Sequence, residues 1–469
     1  MTSEPLSRDS VARNAFFALA ARIGSAVFTG GALLFLVRAL GPEGYGIYAL
    51  ALAIAGLILI PGDLGITQAA ARFVAERRGN RVGVAETLMD SIALKALIAV
   101  VLNGGLLLAA GPIAAAYGAD GLAWPLRGIA IAQFAQSIML LVNYAFTAQG
   151  RVSLNVRVVY AESAVEATSV VALVLLGAGA AGATFGRALG YAFGSALAVV
   201  LMSRFLGRRI LPTALPPRSR LRTLARYAGA LSIVDLAWTV LGTLDALLIG
   251  ALLTPAAVGL FQAPLKLLLF ADLPRGALTD AIAPPPPTRP AHDPETDAFV
   301  RTLRYLILLH TPLAVALLVW AEPIVRLTLG EDYLDSVDVT RVFSAFVLVS
   351  GFGTLVSITV NYLGEARRRI PVALTAIVAV AAIDLALIPR LGITGAAIGA
   401  SVGMAIYVGG HLRIAATALS LDLRPVGVTA TRALVAGTAL AAVLLSLGTS
   451  NVGVLDWGVA LAGGGAAYL

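Results

Sequence analysis

The residues of this sequence that could do chemistry are a few ionisable side chains set deep inside long apolar runs. Arg22, Asp63, Glu162, Glu166, Asp235, Asp245, Lys266, Asp272 and Asp384 all lie well inside such runs. A charge at the centre of a bilayer costs roughly 2.5–3.5 kcal/mol on the insertion scale, so each must face a cavity or a partner. Arg38, Arg72, Arg127, Arg204, Glu322 and Arg326 are excluded from this set, because they sit near run ends where a long side chain can snorkel to the interface.

Spacing sorts the deep set into stripes. Arg22 lies nine residues beyond Arg13, roughly 13 Å along a helix, with Ser25 and Thr29 on the same face at i+3 and i+7. A guanidinium fork in such a stripe suits a dispersed anion such as a diphosphate; the alternative is an ion pair with Asp63 or Asp235. Ser232, Asp235, Thr239 and Thr243 form a second one-faced stripe. Glu162 and Glu166, at i and i+4 with Ser169 at i+7, put two carboxylates on one face, which suits a coupling proton or cation or the wall of a water-filled cavity. Lys266 is one of two lysines, Lys95 being the other. It is a candidate diphosphate contact or a structural ion pair, and Asp272, six residues on, turns to another face. Asp63, Asp245, Asp272 and Asp384 complete the candidates for coupling or gating. His292 lies in a Pro-rich loop, and His310 and His411 have no ligand-spaced neighbours, so no metal site is expected. Cysteine is absent, which excludes disulfides, thiolate metal sites and thiol catalysis.

The elements that must position these residues are membrane spans. The 469 residues are 59% hydrophobic and only 13% charged, a balance that makes the bilayer the solvent. Apolar runs long enough to cross ~30 Å of hydrocarbon as helices follow one another almost without pause, and about 14 transmembrane helices are expected. Arg and Lys concentrate in alternate short loops, such as Arg77, Arg78 and Arg81, or Arg208, Arg209 and Arg218. The loop with Glu331, Asp332, Asp335 and Asp338 is acidic. The positive-inside rule then places both termini in the cytoplasm and the chain in the cytoplasmic membrane as a multi-pass protein. The net charge of +8 is scattered over the loops rather than gathered on one face, so nucleic acid is not an expected partner. The first run, interrupted by Arg22, is too long for a cleavable signal and is expected to stay as the first span. The final run, from 454 to Leu469, is short for a span, and the natural chain is expected to continue beyond it.

The chain also repeats itself. At an offset of 213, Ala12 falls on Ala225, Arg13 on Arg226, Pro42 on Pro255, Gly46 on Gly259 and Pro61 on Pro274. Without a gap, the same offset later places Gly182 on Gly395, Ala183 on Ala396, Gly186 on Gly399 and Gly190 on Gly403. Each unit holds six spans, an even number, so the copies share one orientation: two parallel six-helix repeats around a central cavity. The expected organisation is an N-lobe over 1–206, a linker over 207–222, a C-lobe over 223–419 and two extra helices over 420–469. The register sets Asp235 at the position equivalent to Arg22, opposite charges at matched depth. Such a pair could gate the space between the lobes, or each residue could face a helix of its own lobe.

The stretch VRALGPEGYGIYALALAIAGLILIPGDLGITQAAARFVAERRG (37–79) resembles the first hairpin of the Wzx-type polysaccharide flippases, within the multidrug/oligosaccharidyl-lipid/polysaccharide exporter superfamily. LIPRLGITGAAIGASVG (387–403) resembles that family's junction of the eleventh and twelfth spans. The resemblance runs along the whole chain. It implies alternating-access transport of a polyprenyl-diphosphate-linked oligosaccharide to the outer leaflet, with a polysaccharide polymerase or glycosyltransferases as partners. It also implies that the extra helix pair forms a lipid-tail groove, as in lipid II flippases. A monomer is expected, with no cofactor beyond a coupling H+ or Na+. A nucleotide-driven pump is disfavoured by the lack of a phosphate-binding loop motif. A membrane polymerase or ligase is disfavoured by the short outer loops, so no enzyme is expected. A cation-coupled drug antiporter of the same superfamily and a lipid II flippase are the alternatives.

Overall fold

The computed structural model describes residues 11–63, 65–212, 232–271, 294–363, 365–450 and 452–468, and among these every regular element is helical. Helices satisfy their own backbone hydrogen bonds, which lipid cannot do for them. The protein is an all-α, multi-pass membrane protein of the expected class. Nine helical stretches among the described residues are long and apolar enough to cross a bilayer. One of them, Val152–Leu206, has 55 residues, long enough for two crossings at ~1.5 Å per residue.

The first helix, α1 (Val11–Asp63), joins the first two spans with a single non-helical residue, Gly41, at φ 63° and ψ 180°. A β-carbon is disfavoured there, and Pro42 follows with its φ already set for a first helical turn. The second span continues, after a break at Gly65 with φ 71°, as α2 (Ile66–Glu76). The first unit is completed by α3 (Arg81–Ala116), α4 (Ala123–Ala148), α5 (Val152–Leu173) and α6 (Gly179–Leu206). The Asn80 side chain caps α3 by accepting from the Gly83 amide at 3.0 Å. The chain continues through α7 (Ser232–Leu252), α8 (Pro255–Ala271), α9 (Pro294–Val319), α10 (Ala321–Thr328), α11 (Val337–Ser350), α12 (Gly353–Tyr362), α13 (Ala366–Leu391) and α14 (Ile393–Leu419), the second unit starting within α7. Contacts divide the chain into two compact units, Met1–Thr239 and Val240–Leu469.

The repeat is visible in backbone angles. Gly179, which opens α6, has φ 54° and ψ −141°, and Gly392, its equivalent at +213, has φ 59° and ψ −140°. The following glycines pack alike in both units. A β-carbon on Gly186 would meet the Val170 backbone at 2.5 Å, and one on Gly399 would meet Asp384 and Ile383, the latter being the equivalent of Val170. Small residues let the fifth and sixth helices of each unit cross at close range, which is how helices associate without a hydrophobic drive in lipid.

The appended pair, α15 (Arg424–Ser446) and α16 (Val454–Val459), docks on the second unit through Trp320. The Trp320 indole N–H donates to the Leu444 carbonyl at 2.9 Å, and its ring meets Trp457 edge-on at 4.9 Å. Arg304 on α9 also donates to Thr429 of α15 at 2.8 Å. Lipid-facing side chains such as Leu374, Val378 and Leu385 fall on one stripe of α13.

Candidate functional site

In the first unit the deep carboxylates of α5 lie beside an arginine on α6. Arg187 Nη1 donates to Glu166 Oε1 at 2.7 Å, and Arg187 Nη2 donates to the Tyr191 hydroxyl at 2.9 Å. Gln136 of α4 donates to the same hydroxyl at 3.1 Å. Tyr48, from the second span, lies within hydrogen-bonding reach of Arg187. Glu162 lies next to Glu166, accepts from Ser163 at 3.2 Å, and keeps Oε1 buried without a partner. Gly190 and Gly194 make this arrangement possible, because a side chain at either would strike Glu166 or Glu162. The network holds two carboxylates against one guanidinium, so it has one negative charge more than it neutralises. That surplus can take up a proton or a cation.

A second ion pair occupies the break in the second span. Lys95 of α3, 2% exposed, donates to Asp63 at the end of α1 and to Thr67 on α2. Thr67 in turn donates to Asp63 at 2.5 Å. The sequence left Arg22 free to pair with Asp63 or Asp235; Asp63 here carries Lys95, while the Arg22 and Asp235 side chains lie outside the described residues. The physical reason is that the broken helix ends beside α3, where the chain's other lysine projects.

In the second unit Asp245 of α7 and Asp384 of α13 face each other, 5% and 0% exposed. Asp245 Oδ1 and both Asp384 oxygens have no hydrogen-bond partner. Two acids sharing a dry site with no neutralising cation among the described residues invite a proton or a small cation. A buried arginine lies in the first turn of α13. Arg369 donates to His411 Nε2 at 3.1 Å and to Ser357 at 2.6 Å, and also to Asn361. His411 Nδ1 lies 2.7 Å from the Tyr407 carbonyl, which sets the tautomer with the proton on Nδ1.

Sequence spacing thus brings Glu162 to Glu166, and the fold adds Asp245 to Asp384 and Lys95 to Asp63. Thr29 is exposed on α1 and Lys266 is half-buried on α8. Arg22, Ser25 and Asp235 lie on α1 and α7, but their side chains, like the whole of Asp272, fall outside the described residues. Sequence reasoning passed over Arg187, Lys95 and Arg369. Arg187 had a signal, since it stands between Gly186 and Gly190 of the repeated segment, inside an apolar run. Arg369 is masked in sequence by its neighbours Arg367 and Arg368, which read together as an ordinary cytoplasmic loop.

Residues 11–273 match a family described as polysaccharide biosynthesis protein. This chain belongs to that family. The fold is shared with a lipid II flippase, MurJ, in an inward closed conformation, at TM-score 0.73 and 13% identity, covering 98% of this chain and 97% of that one. It is shared also with an inward-facing multidrug resistance transporter of the MATE family, at TM-score 0.67 and 17% identity, covering 86% of this chain and 98% of that one. The outward-facing form of a MATE family transporter aligns at TM-score 0.59 and 17% identity, covering 86% and 95%. No curated protein sequence matches the chain.

Proposed function

We propose that this protein is a flippase that moves a polyprenyl-diphosphate-linked oligosaccharide from the cytoplasmic to the outer leaflet by alternating access. The observation that carries the reading is membership of the polysaccharide biosynthesis family over residues 11–273. A fold shared with a lipid II flippase agrees with it. A diphosphate and a chain of hydroxyls cannot cross hydrocarbon unaided, and ionisable residues inside spans mark substrate and ion paths. In this proposal Arg22 and Lys266, with Ser25 and Thr29, contact the diphosphate. Transport is driven by H+ or Na+ taken up by carboxylates, with the Glu162–Glu166 and Asp245–Asp384 pairs as the sites, and Asp63, Asp235 and Asp272 serve in gating. The protein acts as a carrier and not an enzyme, as a monomer in the cytoplasmic membrane. Both termini are cytoplasmic, and glycosyltransferases or a polymerase act on the same cargo. Its lobes are 1–206 and 223–419, joined by 207–222 and followed by the pair over 420–469.

The test is surface display of glycan in a strain carrying Arg22→Ala or Lys266→Ala at normal expression, alongside purified protein in liposomes. Loss of display with each variant is expected, and normal export removes the altered residue from the mechanism. Liposomes that move drug cations but not a polyprenyl-diphosphate glycan would overturn the flippase reading in favour of a drug antiporter.

A further inference from the structure

The break in the second span opens a cavity within the first unit that the charge networks do not explain. Its volume is about 220 Å³, and its walls include Asp63, Lys95, Asn103, Gln133, Ser137 and Tyr144. At ~30 Å³ per water it has room for about seven waters, which is below the roughly 300–1,000 Å³ of a drug-sized pocket. Gln133, Ser137 and Tyr144 recur at i, i+4 and i+11 along one face of α4, and the neighbouring Gln136 donates to Tyr191 on α6.

Its polar groups have a definite chemistry. Lys95 is neutralised by Asp63, so the site as a whole calls for no counter-ion. The amide nitrogens of Asn103 and Gln133 are committed, to the Ala99 carbonyl at 2.9 Å and the Ala55 carbonyl at 2.7 Å. Their amide oxygens have no partner, although the two side chains are only 7% and 6% exposed. Buried acceptors without donors are rare, because their desolvation goes uncompensated until a donor arrives. Tyr144 adds an aromatic face, exposed at 47%. A small, neutral, donor-rich ring with an apolar edge meets all these demands at once.

We infer that this cavity binds a single sugar ring, its hydroxyls donating to the amide oxygens of Asn103 and Gln133 and its C–H face lying on Tyr144. The inference rests on the flippase reading for the identity of the natural ligand, a sugar of the transported glycan, and on the geometry alone for binding. The break at Gly65 gives the site its place in transport, since interrupted spans are where carriers build binding sites.

The experiment uses the full-length protein in nanodiscs and the free monosaccharides glucose, galactose and N-acetylglucosamine, with glycerol as a small-polyol control, followed by saturation-transfer difference NMR. Saturable binding of at least one ring is expected. Asn103→Leu and Gln133→Leu should each weaken it about tenfold, the equivalent of one hydrogen bond. Ala99→Leu and Ser137→Val, which fill the cavity and leave both free amide oxygens in place, should abolish it, and Gly104→Ala, which points a methyl into open space, should leave it unchanged. If Asn103→Leu fails to give a monodisperse protein, the two cavity-filling variants decide. Binding of no ring, equal binding of glycerol, or undiminished binding in the filled variants overturns the site and leaves a solvent cavity only. Glycan translocation in liposomes without ring binding likewise overturns this site and spares the flippase reading. Ring binding without translocation supports the site and removes the flippase reading.

Discussion

Arg187 is the residue on which the first unit's charges depend. Its guanidinium neutralises Glu166 and anchors Tyr191, with side chains only 24% and 20% exposed across the ion pair. Removing one partner of such a pair leaves an uncompensated charge, at a cost of about 3 kcal/mol. Arg187→Ala should therefore lower the unfolding midpoint in detergent and stop transport. The double variant Glu166→Gln with Arg187→Gln should recover most of the stability and none of the coupling, and a double-mutant cycle on unfolding midpoints measures the interaction. The same logic applies at the broken second span: Lys95→Met should destabilise more than Lys95→Met combined with Asp63→Asn, as thermal unfolding would show. At this scale the sequence was only partly legible. The i, i+4 spacing of Glu162 and Glu166 reveals a shared face, but the arginine facing them stands 21 residues from Glu166. The separation of 139 positions between Asp245 and Asp384 hides the other pair altogether.

Elements in both units are shaped by glycines that do two different jobs. Gly179 and Gly392 hold nearly the same left-handed backbone conformation with nothing within 4 Å of a β-carbon. Substitution there acts through the backbone alone: Gly179→Ala and Gly392→Ala should each destabilise by about 1–3 kcal/mol, and by similar amounts, as measured by chemical unfolding. Gly186 and Gly399 act instead by letting helices touch. Gly186→Val should separate α5 from α6 and so release Glu166 from Arg187, an effect detectable as loss of transport with the termini still correctly placed. The equivalence extends to scaffold but not to chemistry. The position of Arg187 is Ala400 in the second unit, and the position of Asp245 is Ala32 in the first. Each unit thus carries deep acid on its fifth span, but there the first unit draws a cation from its sixth span and the second draws an acid from its first.

For the whole molecule, the native absence of cysteine makes topology directly measurable. A single cysteine introduced at Arg151 should react with a membrane-impermeant thiol reagent only from the cytoplasmic side. One at Glu331 should react only from the outside, and the reverse pattern would invert the orientation drawn from loop charge. Trp320 is the anchor of the appended helices. Trp320→Ala removes both the bond to Leu444 and the ring contact with Trp457, and should expose residues 424–468 to protease while sparing the preceding helices.

Sequence alone determined the solvent, the span count, the duplication in register 213 and the family, because hydropathy, loop charge and glycine spacing are written residue by residue along the chain. It determined that certain charges lie deep in the bilayer for the same reason, since depth follows from distance along a helix. Which charges meet was decided only by tertiary structure. Partners such as Lys95 and Asp63, or Asp245 and Asp384, lie on helices far apart in sequence, and their contact depends on where each helix breaks and which glycines let it cross its neighbour. The cavity of the first unit, lined by amides whose nitrogens are spent on backbone carbonyls, has no signature in spacing at all.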